Sequence, residues 1–384
     1  MNNTYYSHLD NYIKNSPKIV ELNWFDLPQT IYLFLKDSSK LITIKKLIEN
    51  YGRDKRLNKK IKGIQISPKK GILNLHFPID LNQDAYIKLY ALMISEGSIR
   101  TEFSLNVPEK EFHQIFEENL KKLISEKILI KTDFNSNFER SRAPAIMRYL
   151  IPISNRLPEI LFKNKEFARD YLKIVFEAEG CPIFNLEKHK KYIKLSRNSD
   201  VSKLFRSEKS LPEEERIFIN KIKQDYKVQY NQLIKKPDSL ILGEHLLLKY
   251  WFNIDSTLKL ENIRLNSLGN RKGKISAKWV IYIYSGEDIE KFDNEIGFIS
   301  ESKKEKCKKM IKNIPSRRKQ YTALEIMWDI QKKRVFSASK FNQKMKIMGY
   351  ISPQKFLWDY WRNKKLIKRV GKGQYKLNQI TSIS

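Results

Sequence analysis

Leu89-Tyr-Ala-Leu-Met-Ile-Ser-Glu-Gly97 and Leu172-Lys-Ile-Val-Phe-Glu-Ala-Glu-Gly180 decide how this chain is read. Each is the end of an apolar helix, closed by a carboxylate and then a glycine. Glu96 and Glu179 occupy the same place in the two copies. The last turn of a helix is already negative, through its macrodipole and its unpaired carbonyls, so a glutamate there is poorly placed on its own. Two at matching positions point to a cation. Mg²⁺, which takes a few carboxylates together with phosphate oxygens, is the natural candidate. The glycines that follow, Gly97 and Gly180, would permit a left-handed exit from each helix.

Composition points to a polyanionic partner. The 384 residues suffice for two or three domains, and 41% hydrophobic content is enough to build cores. Lys plus Arg number 74 against 43 Asp plus Glu, a formal charge of +31 spread along the chain rather than gathered in a tail. Nucleic acid is the leading partner for a folded chain this basic, the alternative being a lysine-rich genomic bias. Cys181 and Cys307 stand in unlike contexts, so neither a disulfide framework nor a zinc cluster can be drawn, which fits a reducing interior. The polar start, Met1 to Asn15, lacks the apolar core of a signal peptide, and no apolar run approaches a membrane span. An intracellular protein without a membrane partner is expected.

Outward from the two motifs, residues 1–79 read as two short helices, Thr30–Leu35 and Ile42–Ile48, followed by strands Ile61–Ile66 and Gly71–Leu75. They describe either a degenerate helix-turn-helix unit or a small α/β cap. After the first motif come a short strand before Val107, an amphipathic helix from Pro108 to Leu123, and strands near 127–134 and 145–153 around a polar turn, Asn135 to Arg142. His113 lies among Glu111, Glu117 and Glu118, a pattern that a solvated helix face explains better than a metal site. After the second motif a hairpin is expected, Cys181–Asn185 and Tyr192–Arg197, then a basic helix over Glu213–Ile234 and an apolar helix over Leu240–Phe252. Strands Leu258–Asn266 and Ile275–Tyr284 follow, with a closing helix near Phe292–Phe298. Residues 303–320 read as the end of that helix and a charged linker. Residues 320–384 form their own unit: helices Thr322–Lys332, Ser337–Met348 and Ser352–Asn363, then a basic hairpin over Leu366–Leu377. Three helices and a terminal wing describe a winged helix, a module that binds nucleic acid or protein.

The two motifs resemble the LAGLIDADG motif of homing endonucleases and their descendants. Glu96 and Glu179 fall on the family's metal-binding acid, and Gly97 and Gly180 on its final glycine. Flanking stretches carry the likeness outward: Pro78 to Ala85, Arg156 to Leu161, Lys165 to Phe167, Lys278 to Ile283, and Phe292 to Phe298. Departures are Ile94, where the family has an acid, and the bulky Ile174, where it has a small residue. The resemblance implies an α+β fold: a pseudo-symmetric, duplicated αββαββα core whose first repeat spans 80–163 and second 164–312, with the winged helix appended.

That resemblance also implies a function: site-specific hydrolysis of double-stranded DNA by a monomer, with Mg²⁺ as cofactor and Glu96 and Glu179 as catalytic metal ligands. Lys278 falls where the family keeps a basic residue near the scissile phosphate. Two twisted sheets would form a basic saddle, with Lys188, Lys190, Lys191, Lys194, Arg197, Lys278, Val280 and Tyr282 on its outer face. Ile193, Leu195, Trp279, Ile281 and Ile283 fit the buried face. The short first hairpin, Ser98 to Val107, gives that half of the saddle little reach. A transcriptional regulator that binds without cutting, or an RNA-splicing maturase, would keep the same basic surface. No Walker A loop, G-x-S-x-G or H-E-x-x-H competes with these readings.

Overall fold

An apolar run too short to reveal its period takes its structure from its neighbours, and the first eighty residues show this most clearly. The computed structural model describes residues 2–36, 41–67, 71–99, 102–135, 138–185, 190–205, 216–218, 224–266, 273–312, 335–347 and 367–377. It is an α+β protein with several antiparallel sheets, divided into two compact units. The first comprises 1–181, 193–283 and 291–304, and the second 182–192, 284–290 and 305–384.

In the first unit, helix α1 (Asn2–Lys14) buries Leu9 and Tyr12. The Tyr12 hydroxyl donates to the Ser239 carbonyl at 2.7 Å and accepts from the Leu157 N–H at 3.1 Å. Its ring packs on Phe162, 5.5 Å between centroids, under the Arg156 guanidinium. Strand β1 (Glu21–Leu22) follows, then β2 (Tyr32–Leu35), β3 (Leu41–Thr43), helix α2 (Ile44–Tyr51), β4 (Ile61–Gln65), β5 (Leu73–Asn74) and β6 (Ile79–Asp80). The sheet order is β3-β2-β4-β5, while β1 pairs with β6. Thr30–Leu35 is therefore not the expected helix. Leu33 sits opposite Ile64 in the ladder, both fully buried, and four residues cannot express a helical period against that pairing. With the first of its two expected helices a strand and the second beginning only after strand β3, this region is not a helix-turn-helix. Thr43 accepts from the Lys46 N–H, which is why α2 starts at Ile44.

The first motif lies on α3 (Asp84–Ser95), which runs into β7 (Gly97–Ser98), then β8 (Phe103–Val107), α4 (Lys110–Leu123), β9 (Lys131–Asn135), β10 (Phe138–Ala143), α5 (Met147–Leu150) and α6 (Ile160–Lys163). Tyr86, Ile87, Leu89, Tyr90, Ala91 and Leu92 are all fully buried, so α3 is enclosed on every side. The sheet order is β7-β8-β10-β9. The expected polar turn Asn135–Arg142 is largely strand β10, and the expected strand 145–153 contains α5 instead. Charge hid this strand: Arg142 reaches Asp133 across the ladder at 2.6 Å, and Arg140 pairs with Glu102.

The second motif lies on α7 (Lys165–Glu179), capped by the Asn164 side chain, which accepts from the Glu166 and Phe167 N–H groups. Helices α3 and α7 pack side by side, with Tyr90 and Tyr171 ring centroids 5.9 Å apart and Lys88 3.4 Å from Asp170. The chain continues through β11 (Gly180–Asn185), β12 (Lys190–Asp200), β13 (Arg216–Phe218), α8 (Lys227–Lys235), α9 (Ser239–Phe252), β14 (Thr257–Leu265) and β15 (Ile275–Ile283). Strand order is β11-β12-β15-β14-β13. Arg216–Phe218 pairs with β14, so the expected helix over Glu213–Ile234 is not continuous; its described helical part is α8. Helix α10 (Gly286–Glu295) ends before Gly297, whose φ of 67° turns the chain. Helix α11 (Glu301–Lys312) then begins anew, where a helix end and linker were expected.

In the second unit, the described C-terminal residues form β16 (Phe336–Ser337), α12 (Ala338–Ile347), β17 (Ile367–Gly371) and β18 (Gln374–Leu377), in sheet order β16-β18-β17. Phe336, Phe341, Met345 and Ile367 are buried, and Phe336 stacks on Tyr375. The expected helices at 322–332 and 352–363 lie outside the described residues.

Because the Tyr12 hydroxyl joins α1 to two other segments, Tyr12→Phe leaves the buried Leu157 N–H without its partner. We expect it to lower unfolding stability by about 1–3 kcal/mol in urea titration, with the m-value unchanged.

Candidate metal centre and nucleic-acid interface

Both motif helices pass into strands without a loop, and that is what the glycines serve. A Cβ on Gly180 would stand 2.4 Å from the Phe176 carbonyl oxygen, and one on Gly97 would stand 2.6 Å from the Met93 Cα. The expected left-handed exit is not used: Gly180 has φ −93° and ψ 155°, an extended residue. Close approach of backbone to backbone, not positive φ, requires glycine here.

At the two helix ends the carboxylates differ in their partners. Glu179 lies 3.5 Å from Nη1 of Arg197. Glu96 caps the C-terminus of α3, its N–H bonded to the Leu92 carbonyl, and no side-chain hydrogen bond or ion pair to it occurs among the described residues. Burial first, then the negative charges of Glu179 and Glu109, push the Glu96 carboxyl up to about 7, while Arg197 and Lys303 pull it down. The two motif acids therefore feel each other's charge. Both side chains are half-buried and carry the hard oxygen donors that Mg²⁺ takes, so in donor chemistry they suit the ion. No group of three or more His, Cys, Asp or Glu that could hold a metal ion is found among the described residues.

Arg197 was expected on the outer, DNA-facing side and is instead among the few buried charges of the described residues, 7% exposed. It shares the strand parity of Ile193 and Leu195, both fully buried, so alternation places it inward. Its Nη2 lies 2.7 Å from Glu244 Oε1, with Nε at 3.2 Å from the same oxygen. The Tyr171 hydroxyl donates to that oxygen at 2.8 Å. Arg197 also reaches the Ile94 carbonyl and the Ser95 hydroxyl, each at 3.4 Å. Burial alone would lower the guanidinium; Glu244 first, then Tyr171 and Glu179, more than reverse it, so Arg197 stays charged. Glu244 carried a sequence signal that was missed: it is the one acid in a strongly apolar helix, and a buried acid demands a partner.

On the other face of the sheet, Lys194, Lys278 and Tyr282 are half-buried, and Lys194 stands opposite Tyr282 in the ladder. Lys278 Nζ lies 2.7 Å from Glu261 Oε2, not against either motif acid, and the Tyr282 hydroxyl donates to Glu261 at 2.9 Å. Partial burial would raise the Glu261 carboxyl, but hydrogen bonds from Lys278 and Tyr282 outweigh it and hold it low. Lys259 Nζ stands 5.9 Å from the centroid of the Tyr282 ring, close to the limit of a cation–π contact. Val280, expected outward with these residues, is fully buried on this central strand between Ser196 and Lys259. Of the expected hairpin lysines, Lys190 is exposed and Lys191 half-buried; Lys188 lies outside the described residues.

Two further residues are structural. His113 is buried rather than on a solvated face: Nδ1 is 2.7 Å from the Ser141 hydroxyl, and Nε2–H donates to the Val107 carbonyl at 2.9 Å. Glu177 is buried and accepts from the Ile299 and Ser300 N–H groups just ahead of α11, at 2.7 and 3.1 Å, with Lys303 3.5 Å away.

The raised Glu96 carboxyl sets a pH dependence. Its folded value exceeds the unfolded one, so the folded state binds more protons between about pH 4 and 7, and stability falls with rising pH across that window. Glu96→Gln removes this loss. We expect the variant to match wild type near pH 4 and to exceed it by about 1–2 kcal/mol above pH 7, in metal-free denaturant titrations.

No protein-family model and no curated protein sequence matches this chain. Solved structures give partial likenesses. One is the N-terminal LAGLIDADG domain of DUF199/WhiA, at 12% identity and TM-score 0.31 over 59% of this chain and 88% of that one. Another is full-length DUF199/WhiA from Thermatoga maritima, at 12% and 0.35 over 73% and 92%. A third is I-DmoI in complex with DNA and Ca, at 13% and 0.32 over 56% and 91%. The chain is thus similar in part to proteins of the LAGLIDADG fold, both endonuclease and WhiA.

Proposed function

We propose that this chain binds double-stranded DNA and hydrolyses it at a specific site, with Mg²⁺ held by Glu96 and Glu179. One observation carries the reading: Glu96, without a direct counter-ion among the described residues, ends α3 beside the matching acid of α7, and burial and that acid drive its carboxyl to about 7. A carboxylate whose charged form is disfavoured by burial and by neighbouring acids gains by taking up a cation. Bound Mg²⁺ would supply charge neutralisation at phosphorus and a more acidic attacking water. The chain's own groups bind and orient. Glu96 and Glu179 offer oxygens, Arg197 fixes the ends of both helices, and Lys194, Lys259 and Lys278 offer charge to the phosphate backbone. The formal charge of +31 supports the same partner.

Both acids lie in one chain, so a monomer suffices, and the target need not be palindromic. The C-terminal residues complete a winged helix in this reading and add DNA affinity. A second reading, DNA binding without cleavage, is favoured by Arg197: with a guanidinium 3.5 Å from Glu179, part of the charge is already balanced.

Cleavage separates the two. Duplexes selected from a randomised pool by binding are incubated with the protein in Mg²⁺ and in chelator. We expect cutting only in Mg²⁺, reduced at least about hundredfold by Glu96→Gln or Glu179→Gln while duplex affinity changes less than about threefold. Wild-type protein that binds its selected duplex and never cuts it leaves the regulator. Deletion of 320–384 is expected to weaken duplex binding and flatten its salt dependence, because fewer counter-ions are released; an unchanged slope would make that unit a protein-contact module.

A further inference from the structure

Arg197 is the group that the proposed chemistry does not yet use. It is buried, it stays charged, and it reaches three helices at once: Glu244 on α9 at 2.7 Å, Glu179 on α7 at 3.5 Å, and the Ile94 carbonyl and Ser95 hydroxyl on α3 at 3.4 Å. Its own strand is β12. Glu244 is its full partner, held in turn by the Tyr171 hydroxyl. The guanidinium has donors to spare beyond Glu244, and these face the ends of the two motif helices.

We propose that Arg197 is a built-in counter-cation and positioning residue for the paired acids: it neutralises and holds Glu179, and so leaves Glu96 as the carboxylate that takes up the divalent ion in the DNA-free protein. This rests on the metal reading above and deepens it. The two motif acids, equivalent by sequence, are made unequal by one side chain from a strand. A fixed guanidinium does not exchange with solvent, so the end of α7 keeps its geometry whether or not an ion is bound. Arg197 acts through the acids and through the helix ends. It is placed by Glu244, whose carboxylate, fully buried, would otherwise lack a cation.

The test measures Mn²⁺ binding to the full-length protein without DNA, by electron paramagnetic resonance of the free ion. Melting curves on every variant check folding. Wild type is expected to bind one ion. Glu96→Gln should abolish that binding, and Glu179→Gln should weaken it by less than about threefold, because its charge is already spoken for. Removing Arg197 alone would strand Glu244, so the informative variant is Arg197→Met with Glu244→Gln, which keeps the buried site neutral and lets the amide oxygen accept from Tyr171. In that background Mn²⁺ should bind about tenfold more tightly, and binding should become sensitive to Glu179→Gln, the scale expected of a group adjoining the ligands. Arg197→Lys should restore the wild-type pattern in part. Equal loss of Mn²⁺ with either glutamine variant in wild type, or an affinity indifferent to the paired substitution, overturns the assignment and leaves the metal reading standing. Wild-type protein that binds no Mn²⁺ overturns both.

Discussion

The side-by-side packing of α3 and α7 is the constraint on which the rest of the first unit depends. Two helices can meet at their acidic C-terminal ends only if something balances the charge that their dipoles and side chains bring together. Here the balance comes from a third element: the Arg197 guanidinium reaches the end of both helices while Glu244 anchors it from behind. Tyrosines extend the same logic along the helix pair. Tyr86 and Tyr90 donate to the carbonyls of Pro152, Ser154 and Arg156, so large rings are buried without stranding their hydroxyls. The connecting segment 152–156 is thereby tied to α3, and Arg156 in turn covers Tyr12 of the N-terminal helix.

The two copies are alike where backbone is constrained and unlike where charge is concerned. Gly97 and Gly180 both let a helix turn straight into a strand, because a Cβ at either position would strike the previous turn. Glu96 and Glu179 stand at equivalent ends, yet one has a guanidinium at 3.5 Å and the other carries a carboxyl raised to about 7. Repeats fix where a side chain emerges, and the surrounding strands decide what it meets. The outer face of the larger sheet follows the same rule: Glu261 gathers Lys278 and Tyr282, so a basic surface is ordered by an acid within it.

The sequence by itself determined the elements whose pattern was long or punctuated. Helix α3 and helix α7 were legible from apolar runs closed by Glu-Gly, α4 from its amphipathic spacing, and α9 from Leu240 to Phe252. Strands β14 and β15 and the C-terminal hairpin were legible from alternation and glycine turns. The placement of Glu96 and Glu179 at the ends of their helices was legible too, because matching positions in two similar stretches predict matching ends. Short segments were not legible. Tyr32–Leu35 and Arg216–Phe218 are strands because a neighbour pairs with them, and nothing within three or four residues carries that information. Strand β10 was hidden by its own charges, whose partners lie on other segments.

Only the tertiary structure decided what the charges do. Arg197 and Lys278 are both basic residues on strands of one sheet, and composition treats them alike. Arg197 faces inward and Lys278 outward, so one becomes a buried counter-charge and the other a surface cation held by Glu261. Parity along β12 would have placed Arg197 with Ile193 and Leu195, but parity cannot supply the partner that makes a buried charge tolerable. Glu244 comes from a helix dozens of residues later, and it meets Arg197 only because α9 packs where β12 passes. Sequence fixes which side of an element a residue occupies; the energy of a charge depends on what stands within a few ångströms of it, and that is a property of the folded chain alone.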